Sequence, residues 1–257
     1  MSKDEHRSTL RVLSILLELS QIDNGLSLAE LSARLDTPKS SLFPIVHTMA
    51  NMNFITFDKN TKLYNIGLNS FLVGQSYLQK NSTLDCFQTE LEHIVTKCSE
   101  ICQLGILETS QVLYLLKVDS PEPIHLCSNI GKKLPAYCTS LGKALLCNYT
   151  LDELHSLYPE PFTQFTQNTV KNIESLFEQL KIIKETNISI DYGEVHPDIY
   201  CIAVPIFKGN DIIASISVSV PSYRFSDEKK EEITNVLLSS KAKLESLMLH
   251  NGTIPFK

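Results

Sequence analysis

Nowhere in the 257 residues does an apolar run approach the roughly 18–20 positions that a membrane-spanning helix needs. The opening MSKDEHRSTLRVLS is charged where a secretory signal would carry its apolar segment, so the expected location is the cytoplasm. Seven cysteines (Cys86, Cys98, Cys102, Cys127, Cys138, Cys147, Cys201) never fall into the Cys-x-x-Cys pairs of a structural zinc site, which favours reduced thiols. His93, Cys98 and Cys102 lie at spacings of five and four, compatible with one helical face, but a metal would need further ligands from elsewhere. No cofactor is expected. A positive net charge is missing too: the formal charge is −6, which excludes a protein that coats nucleic acid by counterion release alone. Internal repeats and low-complexity tracts are also absent.

What is present suffices for one large domain or two ordinary ones, because 43% of the residues are hydrophobic. The charge is unevenly spread. Residues 1–67 hold seven basic residues (Lys3, Arg7, Arg11, Arg34, Lys39, Lys59, Lys62) and seven acidic ones, so the remainder carries the whole −6. A neutral segment can still present a local basic surface.

Leucines and valines at helical spacing predict one amphipathic helix over Ser8–Leu19. Ser27 and Glu30 flank the start of LAELSARL as a capping box, so a second helix follows with Leu28, Leu31 and Leu35 on its buried stripe. After the turn DTP, the stretch KSSLFPIVHTMANM repeats Leu42, Ile45, Val46 and Met49 inward and leaves Lys39, Ser40, Ser41, Phe43 and His47 on the other side. Pro44 removes a backbone donor inside that third helix, which predicts a bend there or a later start. FITFD and KLYNIG read as a hairpin joined by KNT. Helix, short helix, turn, helix and hairpin make a winged helix-turn-helix, with Lys59 and Lys62 placed for the phosphate backbone. The same elements also occur in protein-interaction modules, so a ligand-responsive interaction protein is an alternative.

LNSFLVGQSYLQ predicts a linker helix over residues 68–81, and a further helix starts near Thr83. Beyond it, CQLGILE, QVLYLLKV, PIHLCSN, ISIDYG, YCIAVPIF and IIASISVSVP read as strands, with helices at TSLGKALLCN, LDELHSLY, NIESLFEQLKIIKET and a last one capped by Ser226. The expected class is α+β, an antiparallel sheet packed by helices over residues 82–257.

LPAYCTSLGKALL, Leu134 to Leu146, contains a Gly-Lys pair but is not a phosphate loop, because Tyr137 and Ala144 stand where that motif needs glycine and a hydroxyl. Lys143 is therefore expected on a helix surface, and Gly142 where a strand turns closely into a helix. A cysteine hydrolase would use Cys138 or Cys201 with His155 or His196, oriented by Asp191 or Glu194. YCIAVPIF has no turn to project Cys201, so the expectation is no enzyme. The same residues suit a small-molecule site: Thr139 and Ser140 at a helix start, with Asp191, Cys201, Ser217 and Ser219 as polar points among apolar strands. Ser217 and Ser219, two apart, share one face of a strand.

LPAYCTSLGKALL, DYGEVHPDIYCIAVPIF and IIASISVSVP together resemble the effector-binding domain of the IclR family of bacterial transcription regulators. LAELSARLDTPKSSLFPIVHTM and KLYNIGLNSFLVG resemble that family's winged helix, in the same order along nearly the whole chain. The resemblance implies a winged helix-turn-helix over 1–67, the linker helix, a GAF-like effector domain, homodimers or tetramers, and operator DNA binding; the expected role is that of a repressor. It also implies control by a small metabolite, an organic acid or aromatic compound. By motif position it assigns the effector pocket to Leu134, Ser140, Leu141, Asp191, Cys201, Ser217 and Ser219, and the DNA-facing positions to Lys39, Ser40, Ser41, Phe43, Pro44 and His47. The chain departs from the family at Pro44, where a basic residue is usual, in a wing poor in arginine, and at bulky Leu141, which narrows the pocket.

Overall fold

The computed structural model describes residues 6–79, 82–122 and 130–250. The chain divides into two compact units, Met1–Asn81 and Ser82–Lys257. Residues 123–129, read above as the strand PIHLCSN, and residues 80–81, the end of the expected linker helix, lie outside the described residues.

The first unit runs α1 (Arg7–Ser20), β1 (Leu26–Ser27), α2 (Leu28–Arg34), α3 (Lys39–Asn51), β2 (Ile55–Phe57), β3 (Leu63–Ile66) and α4 (Leu68–Gln79). The Ser27–Glu30 capping box forms in full: Ser27 Oγ accepts from Glu30 N–H, while the Glu30 carboxylate accepts from Ser27 N–H at 2.8 Å. Ile15, Leu31, Leu42, Val46 and Ile55 meet in the fully buried centre. The hairpin β2–β3 gains a third strand, because Leu26 pairs with Tyr64 and Ser27 with Leu63. Periodicity could not announce a strand of two residues.

Helix α3 begins at Lys39 and runs unbroken through Pro44, so the proline neither delays its start nor ends it. Packing of Leu42, Val46 and Met49 outweighs the local penalty. Ser40 C=O loses its normal donor four residues on, because proline has no N–H. Pro44→Ala is therefore expected to raise the unfolding free energy of this unit by about 1–3 kcal/mol. Urea denaturation followed by circular dichroism measures it; an unchanged or lower value contradicts the reading.

The second unit runs α5 (Ser82–Cys98), β4 (Ile101–Glu108), β5 (Gln111–Val118), β6 (Lys133–Pro135), a 3₁₀ turn (Ala136–Cys138), α6 (Ser140–Leu146), α7 (Leu151–Leu157), α8 (Ile173–Thr186), β7 (Ser189–Tyr192), β8 (Ile199–Lys208), β9 (Asp211–Pro221) and α9 (Asp227–His250). Its six strands pair antiparallel in the order β6-β5-β4-β9-β8-β7. Strand alternation divides the sheet into two unlike faces. Leu104, Ile202, Val204, Ile216 and Val218 form a dry core with α5 and α9. The opposite face carries Gln103, Gly105, Asp191, Cys201, Ala203, Ser217 and Ser219, and α6 lies across it.

Gly142 sits within α6, and a Cβ there would come 2.2 Å from the Ala136 carbonyl oxygen. The glycine thus lets the 3₁₀ turn press directly against the helix. Cys98 ends α5 while Cys102 lies in β4 and His93 is exposed, so the single helical face considered for a metal is not formed. No group of three or more His, Cys, Asp or Glu arranged for a metal occurs among the described residues. None of the described helices is long and apolar enough to cross a membrane.

Candidate functional site

In the first unit, Lys39, Ser40, Phe43, Pro44 and His47 are exposed along α3, and Ser41 is half-buried. Asn51, not singled out by the sequence reading, continues the exposed stripe, and its amide Nδ2 lies 3.3 Å from His47 Nδ1. Pro38, which precedes α3, gives it no side-chain cap. Lys59 and Lys62 are exposed in the turn between β2 and β3. The Asp58 carboxylate fixes that turn by accepting from Asn60 N–H at 2.7 Å and Thr61 N–H. These hydrogen bonds hold its pKa below the usual carboxylate range. Arg34, the remaining cation near the turn into α3, is drawn away to Glu18 at 3.2 Å.

In the second unit, register brings four of the expected pocket residues onto neighbouring strands. Asp191 on β7 pairs with Cys201 on β8, Cys201 pairs with Ser219 on β9, and Ser217 pairs with Ala203 one step along. Cys201 Sγ lies 3.2 Å from Ser219 Oγ, which in turn contacts Gln103 Oε1 at 3.4 Å. Leu134 is half-buried in β6, while Ser140 and Leu141 are buried in α6. Val112 Cγ1 and Leu141 Cδ1 lie 2.5 and 3.3 Å from where a Cβ on Gly105 would stand, so both side chains close over the glycine. Thr139 is buried, and its hydroxyl caps α6 by accepting from Gly142 N–H at 3.0 Å.

Lys143 is the main correction. It was expected on a helix surface, but it is 1% exposed and donates to Gln179 Oε1 at 2.9 Å, to the Ile190 carbonyl at 2.7 Å and to Glu194 Oε1. Glu194 N–H donates to Asp191 Oδ1 at 2.6 Å, and the Glu194 carbonyl accepts from Thr169 Oγ1 at 2.6 Å. Gly193, at φ +79°, makes the turn that permits this fold-back. A continuous polar chain thus links α6 to Asp191. Glu194 Oε2 and Ser189 Oγ are buried without a partner. One signal was available: SLGKALL is apolar around most of its circumference, the mark of a buried helix.

Burial pushes the Asp191 carboxyl up to about 7; the Glu194 N–H and Lys143 oppose the shift, and the Glu194 charge adds to it. Burial likewise pushes the Cys138 thiol up to about 12 and raises Cys201 and Tyr114 strongly. Neither thiol is poised to ionise, which a cysteine nucleophile must do. Cys138 Sγ donates to the Pro135 carbonyl at 3.5 Å, and the exposed His155 and His196 lie beside Glu174 and Asp198 rather than a cysteine. The hydrolase alternative thus lacks its thiolate and its base.

The family model described as bacterial transcriptional regulator IclR C-terminal matches residues 75–245, and that of the IclR helix-turn-helix domain matches residues 8–59. Among curated relatives, the HTH-type transcriptional regulator KdgR of Escherichia coli K12 is 28% identical over 247 residues, covering 95% of this chain and 94% of its own. The HTH-type transcriptional repressor AllR of the same organism is 25% identical over 221 residues, covering 85% and 82%. An IclR transcriptional regulator from Alicyclobacillus acidocaldarius superposes with a TM-score of 0.86 at 20% identity, covering 95% of this chain and 99% of that one. An IclR homolog from Microbacterium hydrocarbonoxydans, complexed with 4-hydroxybenzoate, gives a TM-score of 0.78 at 20% identity, covering 94% and 98%.

Proposed function

The chain belongs to the IclR family of bacterial transcriptional regulators, and from that premise we propose a cytoplasmic, non-enzymatic repressor whose grip on operator DNA is set by a small metabolite. Residues 1–67 are the DNA-binding domain, 68–81 the linker helix and 82–257 the effector domain. One observation carries the DNA assignment. The exposed side of α3 presents Lys39, Ser40, His47 and Asn51 around Phe43 and Pro44, backed by buried Leu42, Val46 and Met49 and followed directly by a hairpin tipped with Lys59 and Lys62. α4 exposes Leu68, Phe71, Leu72 and Val73, more apolar surface than one helix of a monomer usually leaves uncovered, which supports pairing of two chains. Mobility shift against the chain's own upstream DNA at low salt tests the reading, and failure to retard any fragment counts against it.

The effector reading rests on the polar sheet face under α6. Asp191, with a carboxyl near 7, can hold its proton and donate to a ligand oxygen, while the Ser217 and Ser219 hydroxyls both stand on β9, two strands away. Lys143 is engaged by Glu194, so these neutral donors, rather than a free cation, recognise the ligand. Such a set suits a small carboxylic acid; the structural relative from Microbacterium hydrocarbonoxydans holds 4-hydroxybenzoate, an aromatic one. Leu141 over Gly105 favours compact ligands. Ligand that prefers one conformation of the chain changes operator affinity by at most its differential affinity for the two conformations, and operator changes ligand affinity by the same factor in return.

A thermal-shift screen of small carboxylic acids, sugar acids and aromatics finds the ligand through its mass-action stabilisation. Asp191→Ala and Ser217→Ala are expected to reduce that shift by at least half while leaving operator retardation intact. Equal loss of both activities contradicts the assignment.

A further inference from the structure

Phe43 is an oddity of the DNA-facing stripe. It is 56% exposed on the second turn of α3, whereas the buried side of the helix is completed by Leu42, Val46 and Met49 without it. Its neighbours along the stripe are Ser40, three positions before, and His47 and Asn51, four and eight positions after, all exposed. The Phe43 ring leans along that stripe, with its centroid 6.2 Å from the His47 imidazole. Beside it stands Pro44, which has no N–H to offer. Phe43 and Pro44 thus make an apolar spot on the exposed side of α3, between Ser40 and His47.

Base edges in the major groove are hydrogen-bonding groups with one apolar exception, the thymine C5-methyl. A phenyl ring against guanine O6/N7, adenine N6 or cytosine N4 would strip water from a polar group and return no hydrogen bond. Against the thymine methyl it removes apolar surface of both partners from water. The ring therefore favours one base and penalises the rest. His47, whose Nδ1 lies 3.3 Å from the Asn51 amide, adds a hydrogen-bonding ring beside Phe43 on the same stripe.

We propose that Phe43 is a specificity-determining residue that reads a thymine methyl in each operator half-site. The proposal rests on operator binding through α3, and its test separates the two. Duplexes are first selected from a random pool by the full-length protein. Each thymine of the best duplex is then replaced singly by deoxyuridine, which removes only the methyl, and affinity is measured by fluorescence anisotropy at fixed salt. The protein should lose about fourfold in affinity at one thymine per half-site, the worth of one buried methyl. Phe43→Ala should bind the thymine duplex about fivefold or more weakly and be indifferent to deoxyuridine there, while Phe43→Leu retains part of the sensitivity. Because Phe43 is exposed, the melting temperature of Phe43→Ala should stay that of the parent, which shows that the fold survives.

Deoxyuridine that is neutral at every thymine overturns the proposal, as does an equal penalty in the parent and Phe43→Ala. A fall in sedimentation mass of Phe43→Ala with unchanged deoxyuridine sensitivity overturns it in favour of self-association. Recovery of no duplex at all instead strikes the operator-binding reading itself.

Discussion

Lys143→Ala is expected to lower the unfolding free energy of the second unit by about 3–5 kcal/mol, the usual cost of removing one partner from a buried ion pair. Lys143 and Glu194 are 1% and 7% exposed in their side chains, and Glu194 Oε2 already lacks a partner. Without the ammonium, a carboxylate is left in the interior, and the Ile190 carbonyl and Gln179 lose their donor as well. Lys143→Met combined with Glu194→Gln should cost much less, since no charge is stranded. Urea denaturation of the three proteins gives the comparison. A loss below about 1 kcal/mol for Lys143→Ala would show the pair to be open to water.

Stability should also fall as pH rises through neutrality, by about 2–3 kcal/mol between pH 5 and pH 8 from Asp191 alone. The folded-state value near 7 lies above the 3.8 of the unfolded chain, so the folded form binds this proton more tightly. The resulting stabilisation is complete below about pH 4 and is lost as pH climbs through 7, where a buried carboxylate must form. Glu194 adds to the shift and Lys143 opposes it, so the two predictions concern one network. Asp191→Asn keeps the shape and removes the titration. Subtracting its pH 5 to pH 8 change from the parent's isolates the carboxyl; a difference near zero means that Asp191 is ionised throughout.

The DNA-binding unit was legible because its information is local. Amphipathic stripes, the Ser27 capping box and the turn at Asp36–Pro38 each lie within one or two helical turns of sequence. The alternation in IIASISVSVP likewise placed Ser217 and Ser219 on one face. β1 and β6, of two and three residues, are too short to carry a period; tertiary pairing makes them strands. Lys143 was misread for the complementary reason. Its partners Gln179, Ile190 and Glu194 stand 36, 47 and 51 positions away, so a lysine that looks solvated in its own helix is satisfied from across the fold. Pro44 was judged by its local cost, whereas buried neighbours on the same helix decide the outcome.

On the function proposed above, a ligand held at the buried polar site of the second unit changes operator binding by the first. Titration of a labelled operator with the full-length protein, with and without a ligand that raises its melting temperature, tests this most directly. The ligand is expected to change operator affinity about fivefold or more, Asp191→Ala to abolish the change, and ligand-free affinity to be preserved in that variant. A ligand that stabilises the protein yet leaves operator affinity unchanged would contradict this coupling.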